Sequence, residues 1–397
     1  MKSAIAMTEE IDMRDAADEL IAGIKGQIEL EKNSCGLLYY DYEMNGDELC
    51  RYLCEDLGID ILGCSTIATL DNKNGYRDMS AMLTVLTADD CDFHVGITDT
   101  LSNENAKENI NRTFAEARAK AAADPKLAFV LFPCGTDIIF DKHIEDLSEM
   151  SDHLAIVGGI PSSTRTVEKS VVYNGKYYLN MAAILLLTGN LHPVISLANV
   201  ITTISDRKNL ITKADGTAIC EVDGKPFAEY IESFGIDVQE ATTNAGQIFF
   251  QKYPLLIESP DSDFTEEVPY VRILDRIDEA GRGIAYAGVP EGAKVSLAIL
   301  RREDITKTVE KGVEDLFRKM EASGGTFSTI ICITCAARHI TLNPHYEDEG
   351  NCIKKLVPLK YNLSGFYSYG ELCPIGIDDE GRANNQLHNG SIVFCAL

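Results

Sequence analysis

A chain of 397 residues exceeds what one hydrophobic core normally supports, so two lobes sharing an interface are expected. Its composition, 45% hydrophobic and 25% charged, is that of a protein folded along its whole length. A formal charge of −26 repels phosphate backbones and anionic headgroups, which excludes nucleic acid and membrane surfaces as expected partners.

Ala16, Leu20, Ile21 and Ile24 recur at helical spacing before Gly26, which predicts a helix over 15–26. A strand over 34–40, a helix over 46–57 and a buried strand over 60–64 follow, the last ending in the turn Gly63-Cys64-Ser65-Thr66. Strands at 81–86 and 92–98 lead to an Ala-rich helix over 104–123, stopped by Pro125. Next come a strand at 127–132, an amphipathic helix at 139–150 and a strand at 155–157 running into Gly158-Gly159. Asn174-Gly175 reads as a hairpin turn between 171–173 and 178–188, and Asp215-Gly216 as another between 210–213 and 217–222. Helices are expected at 226–234 and 239–248, a β-rich stretch at 268–300 and an amphipathic helix at 304–320. Strands at 329–335, 364–369 and 391–395 complete the chain, with a helix at 347–356. Hairpins mixed with helical crossovers imply an α/β class of fold, α+β in detail: mixed sheets with flanking helices. The lobe boundary is expected near 196–206, dividing 15–205 from 206–397.

Acidic residues Glu9, Glu10, Asp12 and Asp15 interrupt the N-terminal apolar residues before a secretory core can form. The strongest apolar stretch, Met181–Thr188, is far short of the ~20 residues that span a bilayer. A cytoplasmic location is therefore expected. The twelve cysteines are scattered, most of them inside apolar runs, and read as reduced thiols. Cys332 and Cys335 form a C-x-x-C, but no second pair completes a four-ligand site, so neither metal nor cofactor is expected.

Ordered segments carry a resemblance. Gly63-Cys64-Ser65-Thr66 and Gly158-Gly159 at strand ends, then Val222-Asp223-Gly224-Lys225-Pro226-Phe227, precede Cys335-Ala336-Ala337-Arg338, Gly365–Glu371 and His388-Asn389. Together they resemble the FIST family, with its N-terminal and C-terminal FIST domains, over nearly the whole chain. The match departs at Ala68, where the family usually has glycine, and at Ile160-Pro161-Ser162-Ser163. The resemblance implies a sensory, signal-transduction protein binding a small ligand such as an amino acid. Many members are bacterial and precede a transmitter domain, whereas one eukaryotic branch carries an F-box. Here the FIST-like region fills the chain, so the expected partners are a small molecule and a separate signalling protein.

The residues themselves suggest how a ligand is held. Arg338 offers a planar donor fork for a carboxylate, and Glu371 an acceptor for an ammonium. Cys335, Tyr369, His388 and Asn389 are expected to line the site, and Arg338→Ala to remove the ligand while leaving the fold intact. The alternatives are that Arg338 and Glu371 pair with each other and that His388 is a hydrogen-bonded core residue. Ser65 and Thr66 suit an anion if they open a helix, and otherwise form a plain turn. Gly159 either contributes to the site or only permits close backbone approach. Cys335, His388 and Glu371 also have the residue types of a thiol-based acyl-transfer enzyme, but show no local signature of one. The expectation is a binding protein and not an enzyme, with a protein-interaction scaffold as the alternative.

Overall fold

The computed structural model describes residues 1–134, 138–163, 170–199, 202–205, 207–238, 251–258, 269–378 and 380–397. The helix expected over 239–248 lies outside them. Among these residues the chain forms three sheets. The first orders its strands Lys2–Thr8, Ala81–Ala88, Asn33–Asp41, Asp60–Thr66, Val171–Tyr173 and Lys176–Tyr178. The second is the largest. It runs Val194–Ala198, Ile392–Ala396, Thr329–Cys335, Asn362–Ile377, Ile156–Pro161, Pro125–Leu131, Ala183–Gly189 and Cys91–Ile97. Strands from both halves of the sequence therefore interleave in one sheet. A third sheet is built from strands between Asn209 and Leu297.

Alternation along the strands explains the layers. In Asn33–Asp41, Leu37 and Tyr39 point into a core that also contains Leu185, Ile331, Ile333 and Phe366 of the second sheet. Leu38 and Tyr40 point the other way, onto Leu20, Ile24, Leu49 and Leu53. Those four come from the helices Met13–Lys25 and Gly46–Leu57. The outer face of the second sheet is covered by Val309, Val313 and Leu316 of helix Arg302–Ser323, and by Ile110, Phe114, Ile144 and Leu147 of helices Ala106–Lys120 and Phe140–Met150. The result is helices, sheet, sheet, helices, with the third sheet attached as a further layer. The mixed α/β class and the two contributing lobes agree with expectation. Among the described residues no helix is long and apolar enough to cross a membrane.

Several elements differ from the reading. Residues 178–188 are not one strand: Lys176–Tyr178 closes the Asn174-Gly175 hairpin in the first sheet, while Ala183–Gly189 joins the second. Beyond Thr66 the chain forms a small hairpin, Thr69–Asp71 with Gly75–Arg77. Asn362–Ile377 extends well beyond the expected 364–369.

Candidate functional site

The long strand Asn362–Ile377 organises the site. Thr329–Cys335 lies parallel to its first half, setting Cys335 opposite Ser368. Ala383–His388 lies antiparallel to its second half, setting His388 opposite Glu371. Glu371 also pairs with Gly159 on the other flank, so the first two strands share one flank and meet end to end. Cys335, Glu371, His388 and Asn389 converge at that seam. Ser391 crosses it, its carbonyl accepting the Cys335 amide at 3.0 Å.

All four side chains are buried. Glu371 accepts from the Ser391 hydroxyl at 2.8 Å and the Ser391 amide at 3.3 Å, both through Oε2. The Cys335 thiol lies beside the same carboxyl, yet Oε1 has no hydrogen bond of normal geometry. His388 uses Nε2 for the Cys373 carbonyl at 2.9 Å, and its Nδ1 has no partner. Asn389 Oδ1 has none either. Three adjoining residues thus each keep a buried polar atom unpaired, at about 1–3 kcal/mol apiece. Native proteins normally satisfy such groups.

Burial also sets the ionisation. It raises the Glu371 carboxyl to about 8, with the Ser391 hydrogen bonds and the neighbouring Cys335 thiol opposing. It lowers His388 to about 3, with the Arg272 charge adding to the effect. Both are neutral at pH 7. The Cys335 thiol is pushed well up, by burial first and then by the Glu371 charge. A protonated thiol, beside a carboxyl and without the His388 contact, does not form the arrangement that acyl transfer requires.

Tyr369 sits two residues before Glu371, at a β-bulge where the register against Ile156–Pro161 shifts between Ser368 and Gly370. Bulges re-aim side chains, and here Tyr369 emerges 40% exposed between fully buried neighbours. Its hydroxyl bonds Ser163. Ser368 stitches the bulge: its Oγ accepts the Ile160 amide at 3.0 Å and donates to the Ile160 carbonyl at 2.9 Å. A Cβ on Gly159 would lie 2.4 Å from that hydroxyl, so glycine there permits the stitch. Gly158, at φ 149, would place a Cβ 1.9 Å from the Val130 carbonyl.

Arg338 does not meet Glu371. Its partner is Glu349, on helix Glu347–Leu356, with Nε and Nη2 donating to Oε1 at 2.8 and 2.6 Å. Nη1 donates to the Thr308 hydroxyl at 2.9 Å and Nη2 to the Ile305 carbonyl at 3.2 Å. Tyr367 and Thr334 hydroxyls complete Glu349 at 3.0 and 3.2 Å. The expected Arg338–Glu371 opposition is corrected: the fork is filled by a carboxylate of the chain. Glu349 shares the acidic first turn of its helix with Glu347 and Asp348, so local composition does not distinguish the buried carboxylate from the two beside it.

Ser65 and Thr66 open no helix. Thr66 Oγ1 accepts the Tyr367 amide at 3.0 Å and donates to the Ala68 carbonyl at 2.8 Å, tying the first sheet to the long strand. The Ser65 hydroxyl is buried without a partner. Among the described residues no group of three or more His, Cys, Asp or Glu could hold a metal. A groove of about 620 Å³ opens between Val194–Leu197, Asp315–Lys319 and Pro374–Ile377, and none of Cys335, Arg338, Tyr369, Glu371, His388 or Asn389 lines it.

The FIST N domain model matches residues 34–225 and the FIST C domain model residues 227–374. The chain belongs to the FIST family, whose domains are sensory and signal-transduction modules. No curated protein sequence matches it. Among solved structures it is similar to a cyanuric acid hydrolase from A. caulinodans, at 8% identity and TM-score 0.36 over 100% of this chain and 99% of the other. It is also similar to a chorismatase, at 8% identity and TM-score 0.35 over 94% of this chain and 96% of that one. Overlaps this loose transfer no activity.

Proposed function

We propose that this protein is a ligand-binding sensor whose small molecule is read at the seam by Glu371, His388 and Asn389, with Cys335 alongside and Tyr369 nearby at the surface. The observation that supports this reading is the trio of adjoining buried polar atoms left unpaired. Asn389 Oδ1 accepts only, and a ligand bearing N–H groups supplies what it lacks. An amino acid or related amine-bearing metabolite has that chemistry. A signal leaves through Arg272, which donates to the Leu387 carbonyl beside His388 at 2.6 Å and to Asp141 at 2.8 Å. It thereby joins the seam to the third sheet and to helix Phe140–Met150. A separate cytoplasmic signalling protein then receives it.

A thermal-shift screen of amino acids, amines and nucleotides tests the placement. A ligand at about 100 times its Kd adds about 2.7 kcal/mol. Asn389→Ala is expected to abolish that gain and Tyr369→Ala to reduce it. A ligand whose gain survives both substitutions binds elsewhere.

A further inference from the structure

Helix Gly46–Leu57 carries two thiols one turn apart, Cys50 buried and Cys54 half-exposed. Spacing of i and i+4 sets them on one face, and their sulfurs are 3.9 Å apart. The Asn174-Gly175 turn closes over them: the Gly175 amide donates to Cys50 Sγ at 3.3 Å, and Cys54 Sγ lies 3.6 Å from Asn174 Oδ1. That turn is itself fixed. Asn174 accepts the Ile61 amide at 3.0 Å and donates to Asp60 at 2.7 Å. A Cβ on Gly175 would come 2.7 Å from Arg51 Cβ, so glycine lets the turn sit this close.

We propose that Cys50 and Cys54 form a two-coordinate site for a soft d10 cation of the monovalent copper kind. Three observations narrow the chemistry. A disulfide needs Cβ atoms about 3.5–4.5 Å apart, whereas helical i,i+4 neighbours hold theirs at about 5–6 Å, so the pair resists internal oxidation. Zinc takes four ligands, and among the described residues no third His, Cys, Asp or Glu joins the two sulfurs. Thiolates select soft ions, and such ions accept two ligands. Binding replaces two thiol protons: two R–SH and Cu(I) give the bis-thiolate Cu(I) anion and two protons, with no change in oxidation state. The Gly175 amide remains as a donor to the anionic product.

Cu(I), kept reduced and presented as its complex with a colorimetric chelator, is the probe for the full chain. One equivalent is expected to transfer to the wild type. Groups that merely orient a metal ligand are worth about 10–100-fold in affinity, and a ligand itself more, so Cys54→Ser should weaken binding by more than about 100-fold. Cys54 is half-exposed, so its serine variant keeps the fold, checked by an unchanged melting temperature. Cys220→Ser and Cys352→Ser, at the other two half-exposed thiols, should leave the transfer unchanged. No transfer to the wild type, or equal transfer to Cys54→Ser, overturns the site.

Discussion

Arg338→Ala is expected to lower stability by about 3–5 kcal/mol, the usual result of stripping one partner from a buried ion pair. Arg338 and Glu349 are both fully buried. Glu349 would keep the Tyr367 and Thr334 hydroxyls but lose both charge-assisted bonds, leaving a carboxylate in an apolar interior. Thr308 and the Ile305 carbonyl would lose their donors together. For a chain of this size the melting temperature should fall by roughly 4–6 °C. The double variant Arg338→Met with Glu349→Leu should recover much of the loss, because no uncompensated charge remains. A single variant that melts like the wild type would contradict this account. The result replaces the expectation that Arg338→Ala disturbs a ligand and spares the fold.

Glu371→Gln should act in the opposite direction, by an amount that grows as pH rises above about 4.5. Glu371 has a native pKa near 8 against an ordinary value of 4.5. Between those values the unfolded chain releases the proton and the native chain keeps it. Stability contributed by this group is therefore complete below pH 4.5 and declines as pH rises to about 8. Glutamine reproduces the neutral carboxyl, can accept from Ser391, and does not ionise. Chemical denaturation at pH 5 should show little difference, while at pH 9 the variant should be more stable by on the order of 4 kcal/mol. His388 and His339 act on the acid side. Burial lowers them to about 3 and about 4, so the native state loses stability as pH falls below 6.5. That limb should be the same in both proteins. Parallel curves through pH 9 would mean that Glu371 is charged in the native state.

Periodicity made the elements legible wherever one face is apolar. Helix Glu347–Leu356 and helix Gly46–Leu57 match their expected bounds, because each combines an acidic first turn with an apolar stripe. Ala383–His388 escaped because Ala-Asn-Asn-Gln-Leu-His has the composition of a loop. It is a strand through its partners: Asn385 bonds the Ile156 amide, the Ser148 hydroxyl and the Leu154 carbonyl. The short helix Ala336–Leu342 was hidden in the same way, behind the strand that feeds it. The convergence of Cys335, Glu371, His388 and Asn389 was legible as ordered motifs. Their geometry was not, since two strands meeting end to end along a third leave no mark on local spacing. The partner of Arg338 was equally invisible, because ion-pair choice among many acidic residues is settled by tertiary packing.

The most direct test observes the imidazole nitrogens of His388 by 15N NMR while a stabilising amine-bearing ligand is added at pH 7. The account predicts that the Nδ1 resonance moves as its missing hydrogen bond is made, while Nε2, held by the Cys373 carbonyl, stays nearly fixed. A ligand that saturates the protein and raises its melting temperature with both resonances unmoved would show that the seam is packing and the sensor lies elsewhere.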